Sequence, residues 1–230
     1  MLSRPLFLPW AGILACAGYF LLWLLLWPTE QPYWMLPYGL RFGALLLSPT
    51  RMWPWLLFAE FGATTLLALT QGMPLGWQGL ILGELPEPIV VTICLWLMRR
   101  AQLHVSMRDP EDVSRLLLSA AFTVAATTVV DAAILTAVHA VPSSELLMRA
   151  LGQDLLGNYV GTLLVVPLLI MLFRAHLEHR ALANLTMDGL LVMLPALAIL
   201  LLLSSHPAPQ PQFARILSLA PVLFFAFRHG

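Results

Sequence analysis

Two charged residues, Arg41 and Glu60, interrupt apolar runs that are otherwise suited to a lipid bilayer. The runs are joined by Ser48-Pro49-Thr50-Arg51, which is long enough only for a turn, so the sequence predicts a hairpin of two membrane helices. A charge at the bilayer centre costs about 2.5–3.5 kcal/mol on insertion scales. Because Arg41 and Glu60 lie at similar depth in the hairpin, we expect them to form an ion pair or a ligand or proton site around which other helices pack.

The composition of the whole chain also places it in lipid. Of its 230 residues, 60% are hydrophobic and 10% are charged, whereas a soluble domain has roughly 25% charged residues. The formal net charge is zero, which argues against nucleic acid as a partner. Cys16 and Cys94 each lie in an apolar run and have neither disulfide nor metal-ligand spacing. We therefore expect no metal and no cofactor.

Eight apolar runs can serve as membrane spans. They lie near residues 9–28, 35–47, 52–70, 79–98, 113–140, 154–173, 188–205 and 213–227. This pattern predicts an all-α, polytopic, integral membrane helix bundle that forms a single domain over residues 1–230. No small-residue cleavage site follows the first run, so we expect it to be retained as a helix.

The arginines are distributed unevenly between the two sets of loops. Nine fall on one side: Arg4, Arg51, Arg99, Arg100, Arg108, Arg115, Arg174, Arg180 and Arg228. The opposite side has Arg149 and Arg215. Since cytoplasmic loops carry the excess of basic residues, both termini are predicted to be cytoplasmic.

Several acids accompany the single internal base, Arg41. Those inside or at the edge of spans are Glu60, Glu84, Glu87, Asp131 and Asp154. Full ionisation would leave an excess of negative charge, so some of them are expected to be protonated, interfacial or bound to a cation. We expect Asp154 to be an interfacial N-cap, and Asp131 to be satisfied by neighbouring threonines or by an Arg. The predicted ligand or charge site comprises Arg41, Glu60, Glu84, Glu87 and Asp131.

Prolines predict breaks in two spans. Pro37, with Gly39, is expected to kink or unwind the outer end of the second span. Pro86 and Pro88 are expected to break the middle of the fourth. Because irregular backbone at membrane depth survives only in protein or beside a wet cavity, this break predicts a ligand site or a hinge. The alternative is a simple kink with one acid near the surface.

The loop after the fourth span is rich in charge. Asp109-Pro110 is typical of a helix start. Arg99, Arg100, Arg108 and Asp109 are interpreted as a surface facing a cytoplasmic output partner, the alternative being a solvated loop. The spans contain no Gly-x-Ser-x-Gly, and the chain has no His-Glu-x-x-His and no phosphate-binding glycine loop, so we expect no catalytic residues and no enzyme.

Three segments resemble a known family. They are Trp34-x-x-Pro37-x-Gly39-Leu40-Arg41-x-Gly43 with Pro49-x-Arg51-x-Trp53-Pro54-x-x-Leu57-x-x-Glu60, the charged loop before the fifth span, and Gly152-Gln-Asp154-Leu-Leu-Gly157-x-x-x-Gly161-x-Leu-x-x-x-Pro167. Together they resemble the membrane-associated sensor domain of the first type, the MASE family. Within it, the Gly-Leu-Arg and Ala-Glu pattern is most similar to the sensor kinase of hexose-phosphate uptake.

This resemblance implies an input module of the bacterial inner membrane that senses a small ligand or a transporter-like membrane partner. It implies an output of either a histidine kinase or a diguanylate cyclase or phosphodiesterase. The sequence to Gly230 lacks a phosphoacceptor His box and a Gly-Gly-Asp-Glu-Phe motif, so the output is expected C-terminally or on a partner. A homodimer is expected. The alternatives from other classes are a small transporter or its substrate-binding subunit, and a structural assembly subunit.

Overall fold

The computed structural model describes residues 9–27, 35–71, 80–101, 110–138 and 143–177. The helices are α1 (Pro9–Leu26), α2 (Leu36–Leu47), α3 (Trp53–Gln71), α4 (Pro86–Arg100), α5 (Pro110–Ala137) and α6 (Ser144–Leu177). A 3₁₀ turn, Thr50–Met52, precedes α3, and a π-helical turn, Leu80–Glu84, precedes α4. The predicted spans near 188–205 and 213–227 lie outside the described residues.

The described helices confirm the predicted class of fold. Those long and apolar enough to cross a membrane are four: Thr50–Thr70, Ile81–Arg100, Ser114–Ala137 and Ser144–Ile170. Gly12–Leu26 and Leu36–Leu47 are also apolar but shorter. The chain is thus an all-α multi-pass membrane protein.

The short helix α2 is the most enclosed element of this bundle. Nine of its 12 residues are buried, among them Tyr38, Arg41 and Phe42. It packs mainly against α6, while α1 packs against α3 and α5 packs against both α4 and α6. The apolar core lies around α2 and includes Trp23 and Leu95. Because α2 is central, its one charged side chain is held away from lipid by neighbouring helices.

Two glycines allow α2 and α6 to approach closely. A Cβ atom on Gly39 would collide with the carbonyl oxygen of Gly161, and one on Gly161 would collide with that of Met35. The Met35 N–H also donates to the Gly157 carbonyl at 3.2 Å. Small residues at a contact between membrane helices permit such backbone proximity.

The prolines expected to break the second and fourth spans lie at the starts of helices. α2 begins at Leu36, so Pro37 falls in its first turn, where a missing N–H leaves no intrahelical bond unmade. The outer end of α2 is therefore regular, and the expected kink is absent from this helix. Pro86 opens α4 in the same way, so the break in the fourth span lies at Leu85, before the α-helix, rather than in mid-span. Hinge motion at Pro37, Gly39, Pro86 and Pro88 stays a prediction.

The helix of the predicted sixth span begins ten residues earlier than expected, at Ser144 instead of Asp154. The cap is Ser143, whose Oγ accepts a hydrogen bond from the Leu146 N–H at 3.3 Å. Glu145 adds an acid to the first turn, where the helix dipole favours it. Asp154 is therefore a residue of the helix interior, and its expected role as an N-cap was wrong.

Candidate ligand-binding site

A buried ion pair joins α2 to α3. The Arg41 NH2 and Nε atoms each lie 2.7 Å from Glu60 Oε1. Arg41 is 3% exposed and Glu60 is 2% exposed. Charges withdrawn so far from water require partners, because an unpaired buried charge is strongly destabilising.

The ion pair extends into what we call the charge network: Tyr19, Glu60, Arg41, Glu87 and Asn158. The Tyr19 hydroxyl donates to Glu60 Oε2 at 2.7 Å. On the other side, Arg41 NH1 lies 2.6 Å from Glu87 Oε2, and Asn158 Nδ2 donates to Glu87 Oε1 at 3.1 Å. The network takes one residue from each of five helices, α1, α2, α3, α4 and α6.

Aromatic rings complete the surroundings of Arg41. Its guanidinium carbon lies 5.2 Å from the Trp23 ring centroid and 5.5 Å from that of Tyr38, within the range of cation–π attraction. The guanidinium is thus occupied by two carboxylates at its edges and has two rings beside it.

A cavity of about 340 Å³ adjoins the charge network. We call it the outer cavity, because its walls come from the ends of α1, α2, α4, α5 and α6 that the loop charges predict to be external. The ionisable and amide side chains on its wall are Arg41, Glu84, Glu87, Asp131, Asp154 and Asn158. Its volume falls at the lower end of the roughly 300–1,000 Å³ usual for small-molecule sites.

Two further polar groups on the cavity wall lack protein partners. Trp23 Nε1 and the Tyr38 hydroxyl make no hydrogen bond within the described ranges, although the residues are only 1% and 2% exposed. The Thr127 hydroxyl lies close to that of Tyr38 without hydrogen-bond geometry between them, and it donates its own hydrogen to the Val124 carbonyl at 2.8 Å. An unsatisfied buried donor costs about 1–3 kcal/mol, so a molecule in the cavity that accepts hydrogen bonds would stabilise this arrangement.

The structure gathers the sequence-predicted site residues at one end of the bundle. Arg41, Glu60 and Glu87 meet in the charge network, whereas Glu84 and Asp131 line the outer cavity beside it. Neither expected partner of Asp131 bonds to it in the described ranges, because the Thr127 and Thr128 hydroxyls both donate to the Val124 carbonyl and Arg41 pairs with two glutamates. The assignment of Arg41, Glu60, Glu84, Glu87 and Asp131 as a ligand site stays a prediction.

Four contributors were missed at the sequence level: Tyr19, Trp23, Tyr38 and Asn158. Tyr19 and Trp23 are four residues apart and so share a face of α1. Asn158 is likewise four residues after Asp154 on α6. That spacing of polar residues was the available signal.

A second arginine, Arg99, binds the opposite end of α2. Arg99 NH2 donates to the carbonyls of Leu45, Leu46 and Ser48 at 2.9, 2.8 and 2.6 Å. Its guanidinium carbon lies 4.8 Å from the Trp53 ring centroid, and Trp53 Nε1 donates to the Leu45 carbonyl at 2.9 Å. We call this set the Arg99 clamp.

The clamp bears on the predicted output-facing surface. Arg99 is engaged within the molecule, while Arg100 is exposed and lies over the Trp96 ring at 4.4 Å. Arg108 and Asp109 lie outside the described residues. An output role for these four residues stays a prediction.

Fold and site together define a class: a multi-pass helical membrane protein with a charged cavity between its helices. A family model, MASE1, matches residues 4–230. The chain belongs to this family, whose members are membrane-associated sensory domains of signalling proteins, and it is therefore a sensory input domain. Neither the curated proteins nor the solved structures give a match. The likeness to the hexose-phosphate sensor kinase stays a prediction.

Proposed function

We propose that this chain is the signal-input module of a bacterial inner-membrane protein, that it binds a small ligand in the outer cavity, and that it controls a histidine kinase. Membership of the MASE1 family supports the sensory role. The observation that supports ligand binding is the position of the cavity, which shares Arg41, Glu87 and Asn158 with the charge network.

The proposed mechanism is a shift between two helix arrangements. A ligand can move such an equilibrium only by its difference in affinity for the two states. Contact with Glu87 or Asn158 changes the partners of Arg41, and Arg41 is linked to α1 and α3 through Glu60. A ligand there acts on five helices at once.

Helix α4 provides a route to the cytoplasmic side. Glu87 lies at its cavity end and Arg99 at the other, 12 residues or about 18 Å away. The Arg99 clamp fixes that far end to the last turn of α2. Movement of α4 at the cavity would therefore be transmitted to the residues that follow α2 and α4 on the cytoplasmic face.

The decisive experiment replaces Glu87 by Gln in the signalling protein that contains this chain. Gln keeps the size and an acceptor for Asn158 but removes the charge that faces Arg41. We expect basal or stimulated kinase autophosphorylation in membrane vesicles to change several-fold at equal protein level. Glu145→Gln is the matched control, because Glu145 is an exposed acid at the same end of the bundle and outside the cavity.

Other outcomes decide between the rivals. Unchanged phosphorylation in the Glu87→Gln variant would contradict the proposed input role of the cavity. A change in cyclic-di-GMP in place of phosphorylation would assign the output to a cyclase or phosphodiesterase. Transport is the second candidate, because the π-helical turn before α4 lines the cavity. Uptake of solute by vesicles that contain only this chain would favour it.

A further inference from the structure

We infer that the outer cavity binds a small organic cation that also carries a hydrogen-bond acceptor, and that it excludes phosphates and other anions. This inference rests on the proposed function, since it names the ligand class of the same cavity. It depends on three observations: the sign of the wall charges, the pairing of Arg41 with two carboxylates, and the unsatisfied donors of Trp23 and Tyr38.

The wall charges favour a cation. The described wall has the carboxylates of Glu84, Glu87, Asp131 and Asp154, and one guanidinium, that of Arg41. Three of these acids, Glu84, Asp131 and Asp154, have no hydrogen bond or ion pair within the described ranges. They come from three separate elements, the π-helical turn, α5 and α6, so they surround the space from different sides.

Both edges of the Arg41 guanidinium face a carboxylate. Its Nε and NH2 lie 2.7 Å from Glu60 Oε1, and its NH1 forms an ion pair with Glu87 Oε2 at 2.6 Å that lacks hydrogen-bond geometry. A phosphate that bound Arg41 from the cavity would have to displace the half-buried Glu87 carboxylate, and it would then face the remaining acids. Guanidinium is the usual group for phosphate recognition when it is free, and here it is already paired.

The unsatisfied donors indicate that the ligand also carries a hydrogen-bond acceptor. Trp23 Nε1 and the Tyr38 hydroxyl, both more than nine-tenths buried, lie on the cavity wall without protein partners. A hydroxyl, ether or carbonyl oxygen of the ligand would accept from them. The rings of Trp23, Trp27 and Tyr38 add apolar and cation–π surface for an organic body.

A bare metal ion fits this site less well. No group of three His, Cys, Asp or Glu residues in the described part of the chain has the geometry to hold one. The carboxylates are spread around a space of about 340 Å³, which suits a molecule larger than an ion.

The test uses the full chain in lipid nanodiscs, with binding measured by calorimetry. The probes are two matched sets: 4-aminobutan-1-ol, butane-1,4-diol and 4-hydroxybutanoate; and tyramine, tyrosol and 4-hydroxyphenylacetate. Within a set the carbon skeleton is nearly constant and the charge changes from positive to neutral to negative. We expect the amine of at least one set to bind at least about tenfold more tightly than its alcohol and its carboxylate.

Variants locate the binding. Asp131→Asn and Asp154→Asn, which nearly keep the side-chain shape, should each weaken the amine at least about tenfold, whereas the control Glu145→Gln should leave it unchanged. Tyr38→Phe should weaken the amino alcohol but leave butylamine unaffected, because only the hydroxyl is removed. Thermal unfolding without probe shows which variants remain folded.

Tighter binding of the carboxylates, failure of every amine, or wild-type amine affinity in folded Asp131→Asn and Asp154→Asn would overturn the cation assignment. If the amines fail and Glu87→Gln still changes the kinase output, the ligand class is wrong and the input role stands. If both experiments fail, the outer cavity has no part in sensing.

Discussion

The two ends of α2 are both held by an arginine beside tryptophan, yet the two arginines have different partners. In the outer half of α2, which we call its outer end, Arg41 is neutralised by Glu60 and Glu87 and adjoins a cavity with further acids. At the inner end, Arg99 binds backbone carbonyls in the last turn of α2 and just beyond it. Side-chain carboxylates can exchange one partner for another, whereas terminal carbonyls of a helix always need a donor.

This difference assigns separate tasks to the two ends. The Arg99 clamp satisfies orphan carbonyls and lies at the negative end of the α2 dipole, so it is a fixed attachment. The charge network has more acids nearby than it has bases to pair them, so we expect its arrangement to depend on what enters the cavity. Sensing is expected at the outer end and anchoring at the inner end.

The largest effect should come from Arg41→Ala, which breaks the outer end. Glu60 would stay buried with only Tyr19 as a partner, and loss of one member of a buried pair costs about 3–5 kcal/mol. Unfolding in nanodiscs measures this loss, and Arg51→Ala, at an exposed residue, is the control. The double variant Arg41→Leu with Glu60→Leu should recover much of the stability. A single variant as stable as wild type would show that the pair is not needed for the fold.

Arg99→Ala should have the next largest effect and sharpen the contrast. It removes charge-assisted bonds to three carbonyls, for which about 1.5–3 kcal/mol is expected. Ligand affinity at the outer cavity should not change, since Arg99 lies at the opposite end of α4. Arg100→Ala is the neighbouring control, and its effect should be smaller because Arg100 is exposed. Equal losses in the two variants would argue against the clamp.

Gly161→Ala tests whether close packing of α2 on α6 supports the outer end. The added methyl would meet the Met35 carbonyl, so the helices must separate, at a cost of about 1–3 kcal/mol. Gly152→Ala, on the same helix, meets nothing within 4 Å and should be neutral or stabilising. Thermal unfolding distinguishes the two substitutions, and similar melting temperatures would show that the glycine contact is dispensable.

The smallest effect is expected for Tyr19→Phe. It removes one hydrogen bond to the Glu60 carboxylate and nothing else, which corresponds to about 1–2 kcal/mol. Tyr159→Phe is the control, because Tyr159 is a half-buried tyrosine on α6 whose hydroxyl has no such bond in the described part of the chain. A neutral Tyr19→Phe would indicate that Arg41 alone balances Glu60.

The sequence predicted best what local geometry decides. The short turn Ser48–Arg51 brings α2 and α3 side by side, and equal depth in the two helices brings Arg41 to Glu60. The apolar runs likewise lie within a few residues of the described helices, apart from two helix starts. α4 begins at Pro86, after a π-helical turn, and α6 begins early because Ser143 caps the helix before the run becomes continuously apolar.

Contacts between distant helices were not predictable in this way. The bond from Asn158 to Glu87 joins residues 71 positions apart, and which face of α6 meets α4 follows from the whole bundle. The sequence predicts a solvated or output-facing Arg99, because nothing near it in the chain indicates that the end of α2 lies beside it. The outer cavity exists only after five helices have packed, so its volume and wall had no local signature.

The shortness of α2 has a consequence for how the protein enters the membrane. At 12 residues it is about 18 Å long, against a hydrocarbon core of about 30 Å. Because α2 is short and also contains the charged Arg41, we expect that the translocon does not release it into the bilayer as an independent segment. In the folded protein α2 packs against α6 at Gly161, and α6 is synthesised after α3, α4 and α5. The first half of the domain can therefore complete its folding only after α6 has been synthesised. Truncation before α6 should yield a protein that cellular quality control degrades.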